Sequence, residues 1–195
     1  MIRYSIATIF LLLAAFVLQQ FMPAFTGLYD SRILLVQLVF LCCAVTVSQP
    51  TMLLLAFIGG FFWDAQCALG PHGGDPEVYT HPVESMRFGY SILLFGGMGF
   101  LMQGIQPLFK QGKWQFSAIL SGIAVFLYLT AEYTMINFVR GDIVVNRPTL
   151  LQMAFTALLT MLFSPLIFWL LFNVANTCDH SINPQAVKKR KRAPR

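Results

Sequence analysis

The chain has 195 residues, 57% of them hydrophobic and only 11% charged, with a mean hydropathy of +0.68. A soluble domain carries about 25% charged residues, so this composition excludes an ordinary water-facing surface; the length suits one membrane domain of about six spans of roughly 20 residues each. The net charge of +5 does not indicate a nucleic-acid partner, because six of the thirteen Lys and Arg lie between Lys188 and Arg195, leaving seven basic against eight acidic residues elsewhere.

Met1-Ile-Arg3 and the apolar run behind it resemble a secretory leader, but the run continues through Phe21 with no A-x-A-like cleavage site. A retained first helix over 4–22, ended by Pro23, is expected, followed by a loop with Gly27, Asp30 and Ser31. The second helix, 33–47, is short: about 15 residues rise only about 23 Å, less than the roughly 30 Å hydrocarbon core. It either sits where the bilayer thins or forms a re-entrant hairpin with the third helix, 51–68, across Ser48-Gln49-Pro50. Residues 70–87 are polar, acidic and rich in Gly and Pro. A fourth helix over 88–106, a basic loop over 107–113 and a fifth helix over 114–139 follow, with Trp114 placed as an interfacial anchor. After a loop at 140–148, a sixth helix covers 149–176.

The expected fold class is therefore all-α, a polytopic membrane bundle of about six transmembrane helices. An integral membrane domain spans 1–177, and 178–195 form a basic cytoplasmic tail of a composition that stays disordered. With the N-terminus inside, nine Lys and Arg are cytoplasmic and four are external, which by the positive-inside bias places both ends in the cytoplasm. A re-entrant hairpin would remove two crossings and leave this parity unchanged. Cys42 and Cys43 read as small hydrophobes inside an apolar run, and the four cysteines form no disulfide or metal pattern.

Five features carry the candidate function. Ala56, Gly60, Asp64 and Ala68 recur every four residues and share one helix face, where small residues admit a neighbouring helix or a partner. Asp64 on that face either caps backbone near the outer end, ties to another helix or partner, or serves transport; a carboxylate in a membrane helix needs a donor, a proton or water. Glu132 lies at a similar depth, either in a polar pocket with Asp64 or paired separately with Arg140 or Arg87. Gly89 and Gly96, then Gly97 and Gly104, stand seven apart and read as a packing seam. The loop from His72 to His81 holds two His and two carboxylates, but its prolines and spacing match no metal site. Lys188, Lys189, Arg190, Lys191 and Arg192 form a cluster that either binds anionic lipids or fixes topology. No HExxH, phosphate loop or nucleophile with a neighbouring base is present. Nothing in the sequence calls for catalysis, a metal or a cofactor.

The hairpin at Ser48-Gln49-Pro50, the tract Gly59-Gly-Phe-Phe-Trp-Asp64, the following Leu69-Gly70, the Gly89-Tyr90 run and Ser164-Pro165-Leu166 before a basic end resemble the rod shape-determining protein MreD family over about residues 1–176. The resemblance implies a multi-pass protein of the bacterial inner membrane. It further implies a fold similar to the substrate-binding component of energy-coupling-factor transporters. Its function would be that of a non-catalytic scaffold of the cell-elongation machinery. The implied partners are a bitopic MreC-like protein and, directly or indirectly, MreB filaments and the peptidoglycan synthases. The 70–87 segment and the tail are longer than that family leads one to expect. The alternative is a vitamin-type transporter component of the same fold. Its usual Ala-x-x-x-Ala on the first helix is not matched here, where Ala7 is followed four residues later by Leu11. Gln19, Asp64 and Glu132 would be its loose pocket candidates.

Overall fold

Each long apolar run forms a helix, and the breaks between helices fall where proline or polar residues interrupt the run. A computed structural model describes residues 2–23, 25–68, 88–110, 114–140 and 146–178. These residues form an all-α chain: α1 (Ile2–Gln19), α2 (Leu35–Thr46), α3 (Gln49–Ala68), α4 (Tyr90–Gly104), a five-residue α5 (Gln106–Lys110), α6 (Trp114–Arg140) and α7 (Arg147–Thr177). The acidic 70–87 loop, with its His72–His81 stretch, and the basic tail beyond Cys178 lie outside the described residues.

Two boundaries differ from expectation for local reasons. α1 ends at Gln19 because the N–H groups of Gln20, Phe21 and Met22 turn back to the carbonyls three residues earlier, at 3.1–3.3 Å. This tightening precedes Pro23, which disfavours α geometry in the residue before it. The expected 107–113 loop instead opens as α5. Pro107 stands in the first turn of that helix, where its missing N–H costs nothing.

α2 is the centre of the bundle. All twelve of its residues are buried, and α1, α3, α4, α6 and α7 pack around it. A helix apolar at every position but Gln37 and Thr46 is wrapped on every face. α2 therefore presents no side to the outside, and its length of about 18 Å spans only the bundle's interior. Close contacts lock the neighbours in place. Phe40 of α2 meets Phe95 of α4 with ring centroids 5.0 Å apart, and Phe95 meets Tyr128 of α6 edge-on at 5.9 Å.

The outer helices turn large apolar side chains outward, among them Phe10, Phe57, Leu93, Ile119, Leu162 and Trp169. Two segments, Gln115–Phe138 and Arg147–Thr177, are long and apolar enough to cross a membrane. At 1.5 Å per residue they rise about 36 and 46 Å. The polar side chains that bond one element to another gather at the two ends of the bundle. One end holds the last turns of α1, α3 and α6 with the first turns of α2, α4 and α7; the other holds the start of α1 with the end of α2 and the region around α5.

Candidate functional site

The chain enters α2 by an unusual route. Tyr29 and Asp30 both adopt left-handed backbone with φ of 55°, a conformation that costs non-glycine residues energy but that Asp tolerates better than most. Tyr29 stacks on Phe155 of α7, centroids 6.0 Å apart and planes 12° from parallel, which helps hold the turn. Ser31 bridges back to Phe25, and residues 32–34 then run into the bundle without helical bonds of their own. Their backbone groups, and the free N–H groups that open α2, require partners.

Gln19 supplies several of these. Its side-chain nitrogen donates to the Ile33 carbonyl at 2.9 Å, while its oxygen accepts from the N–H groups of Leu35 at 2.6 Å and Val36 at 3.4 Å. Two threonines of α7 complete the set: Thr156 accepts from the Arg32 N–H at 3.4 Å and Thr160 from the Leu34 N–H at 3.3 Å. At the other end of α2, Gln103 donates to the carbonyls of Ala44 and Val47, and Gln106 to those of Val45 and Val47, at 2.7–3.1 Å. Tyr4 adds a buried bond to Thr46 at 2.8 Å. Amides from neighbouring helices thus meet the backbone at both ends of a short helix that water does not reach.

The small-residue face of α3 packs within the chain. Ala56, Gly60 and Asp64 are buried, and Ala68 ends the helix. Gly60 lies flat against α4; a Cβ added there would stand 2.5 Å from the Ile92 backbone nitrogen. One turn further on, the Asp64 carboxylate accepts from the Gly89 N–H at 2.6 Å. Gly89 precedes α4 with a φ of 105°, so a negative charge sits at a helix N-terminus, where the helix dipole stabilises it. Of the readings open for Asp64, its geometry is that of a tie between two helices.

Within the chain, the glycines expected to form a seam on α4 meet no neighbouring helix at those positions. Nothing lies within 4 Å of a Cβ added at Gly89, Gly96, Gly97 or Gly104, and Gly97 is exposed. Gly89 serves a turn instead. The close approach on α4 is at Gly99, against Met52 and Phe40. The seven-residue spacing correctly marks a stripe but not which stripe has a neighbour. Gly122 of α6 is similarly close to α7: a Cβ added there would stand 2.9–3.0 Å from the Met161 side chain.

Glu132 of α6 is half-buried and lines an open cleft of about 460 Å³ between α6, α7 and the 30–34 segment. Asp30 and Arg32 supply the other charged side chains of its lining, with Tyr133 and Gln152 as polar neighbours. Gln152 also donates to the Asp30 carbonyl at 3.4 Å, joining α7 to the strained turn. Glu132 lies within electrostatic reach of Asp64, yet Asp64 is committed to Gly89 and does not line the cleft. Arg87 and the side chain of Arg140, the partners considered for Glu132, lie outside the described part of the structure; among the described residues the cation lining the cleft is Arg32. Of the three loose pocket candidates, Gln19 and Asp64 are bonded to backbone and Glu132 alone faces open space. Cys42 and Cys43 are free thiols wholly enclosed in α2. Among the described residues no group of three or more His, Cys, Asp or Glu converges as a metal site.

Sequence reasoning missed Arg32, Gln103, Gln106, Gln152, Thr156 and Thr160 as structural or site residues. The available signal was positional for Arg32, Gln103, Gln106 and Gln152, which stand near the ends of apolar runs, where a polar side chain can reach free backbone; Thr156 and Thr160 lie inside the α7 run and carry no such signal. No protein-family model, curated protein or solved structure matches this chain.

Proposed function

We propose that the chain is a multi-pass protein of the bacterial cytoplasmic membrane with both ends in the cytoplasm. It acts there as a non-catalytic scaffold of the cell-elongation machinery, binding a bitopic MreC-like protein and helping to couple MreB filaments to peptidoglycan synthesis. The sequence resemblance is one support, and two long apolar helices with an apolar exterior are another. The basic cluster from Lys188 to Arg192 would then lie against anionic lipid on the cytoplasmic side.

The observation that carries the scaffold reading is an aromatic ridge on α3. Phe57 stacks on Phe61, and Phe61 meets both Phe62 and Phe88 edge-on, with centroids 5.3–6.2 Å apart. All four rings are exposed, at 41–56% of their surface. Rings braced against one another give a stiff surface, which loses little side-chain entropy when a partner helix packs on it. The face of α3 carrying Gly60 is occupied by α4, and in this reading a single-span partner packs on the ridge instead.

Purification of the intact chain in mild detergent tests this. It should retrieve a bitopic cell-wall protein, and the double substitution Phe57→Ala, Phe61→Ala should lose that partner while keeping the same elution profile and melting temperature. Recovery of an ATPase complex or a tightly held vitamin would replace the scaffold with the transporter reading. A chain left in the supernatant after high-speed centrifugation without detergent would remove the membrane assignment altogether.

A further inference from the structure

The cleft at Glu132 has a charge pattern that the scaffold reading leaves unused. Its described lining holds two carboxylates, Asp30 and Glu132, and one cation, Arg32. Asp64, outside the cleft lining, lies within electrostatic reach of Glu132. Asp64 has its donor in Gly89, but Glu132 has no hydrogen-bond donor among the described residues. A half-buried carboxylate beside a second one is stabilised by a cation that also donates hydrogen bonds.

The cavity's size and walls narrow the choice. At about 460 Å³ it falls within the roughly 300–1,000 Å³ of small-molecule sites and is far larger than a bare ion needs. Leu129, Ile136 and Met153 form an apolar wall along α6 and α7. Arg32 offers five N–H donors in a planar fork suited to phosphate or carboxylate. A compact ammonium has three donors for the carboxylates opposite. A trimethylated ammonium has none.

We propose that this cleft binds a zwitterion bearing a primary ammonium and a phosphate, the chemistry of phosphoethanolamine. The ammonium lies against Glu132 and Asp30, the phosphate against Arg32, and any attached hydrocarbon along Leu129, Ile136 and Met153. The same headgroup is present in phosphatidylethanolamine and in free O-phosphoethanolamine, and the apolar wall accommodates the lipid form as well.

The test uses the full chain in nanodiscs of phosphatidylglycerol, read by native mass spectrometry and by melting temperature. One arm adds equal amounts of phosphatidylethanolamine and phosphatidylcholine; the other adds O-phosphoethanolamine to the medium. Retention of phosphatidylethanolamine at least about fivefold over phosphatidylcholine identifies the lipid source. A rise in melting temperature with O-phosphoethanolamine but no lipid preference identifies the soluble source. Glu132→Gln and Arg32→Gln should each abolish whichever response is seen. Glu132→Gln is isosteric and Arg32→Gln shortens the side chain by two heavy atoms, and an unchanged melting temperature without ligand shows that the fold survives. Equal retention of the two lipids with no effect of O-phosphoethanolamine overturns the proposal, as does an undiminished response in Glu132→Gln.

Discussion

Gly60→Ala isolates the α3–α4 contact. Its new Cβ would stand 2.5 Å from the Ile92 backbone nitrogen, whereas ordinary van der Waals contact begins at about 3.4 Å, so restoring it moves α4 back by roughly 1 Å. The nearest obstacle is backbone, which no rotamer change relieves. The Asp64–Gly89 bond, one turn away at 2.6 Å, would stretch towards 3.6 Å and cease to be a bond. Overpacking costs about 1–3 kcal/mol, the lost bond about 1–2 kcal/mol, and better helix propensity returns at most about 1 kcal/mol. The net expectation is a loss of about 2–3 kcal/mol. Asp64→Leu alone should cost about 1–2 kcal/mol, but in the Gly60→Ala background it should cost little, because the bond is already broken. Asp64→Asn retains an acceptor and should behave close to the parent. Reversible unfolding in mixed micelles, followed by tryptophan fluorescence, measures each variant. Additive effects of Gly60→Ala and Asp64→Leu within about 0.5 kcal/mol would refute the claim that one contact positions the other.

Gly97→Ala provides the opposite sign: with nothing within 4 Å of the new methyl, it should stabilise the isolated chain by up to about 1 kcal/mol. Should Gly97 instead touch a partner, the same substitution would weaken partner capture while still raising stability. Gln19→Leu strands the Ile33 carbonyl and the Leu35 N–H and should cost about 2–4 kcal/mol. Gln19→Glu keeps the acceptor and should lose roughly half of that; a Leu variant as stable as the parent would show that these backbone groups find other partners. Gly89→Ala meets no atom but must adopt a φ of 105°, so a loss of about 1–2 kcal/mol is expected from backbone strain alone.

Helix positions were legible because an apolar run of helical length has few alternatives. Most expected boundaries fall within three residues of α1, α2, α3, α4, α6 and α7. α5 was not legible, since Pro107 reads equally as a loop residue and as the first turn of a helix. The enclosure of α2 was also hidden: a run this apolar, broken only by Gln37 and Thr46, reads the same whether lipid or protein surrounds it. The face of Ala56, Gly60 and Asp64 could be read because four-residue spacing defines one side of a helix unambiguously. On glycine-rich α4 the pattern admits several stripes, and only the approach of Met52 and Phe40 singles out Gly99. The cleft was invisible for a different reason. Arg32, Glu132 and Gln152 come from three distant stretches, and no spacing rule links them.

The two glutamine clamps constrain where function can reside. Gln19 at one end of α2, with Gln103 and Gln106 at the other, hold the central helix to the helices around it through backbone groups. Sliding α2 by one turn would break all of these bonds at once and leave their backbone partners unpaired in a water-free interior, a cost of several kcal/mol. The core therefore resists the rocking motion by which a moving central element would transmit a signal. What can change at low cost are the outward rings of α3 and the open cleft beside Glu132, where engaging a partner or a ligand breaks no buried bond. A partner that acts through this chain is accordingly expected to shift its own equilibrium on a rigid surface, so that chemical shifts or exchange rates within α2 should be unchanged by its binding.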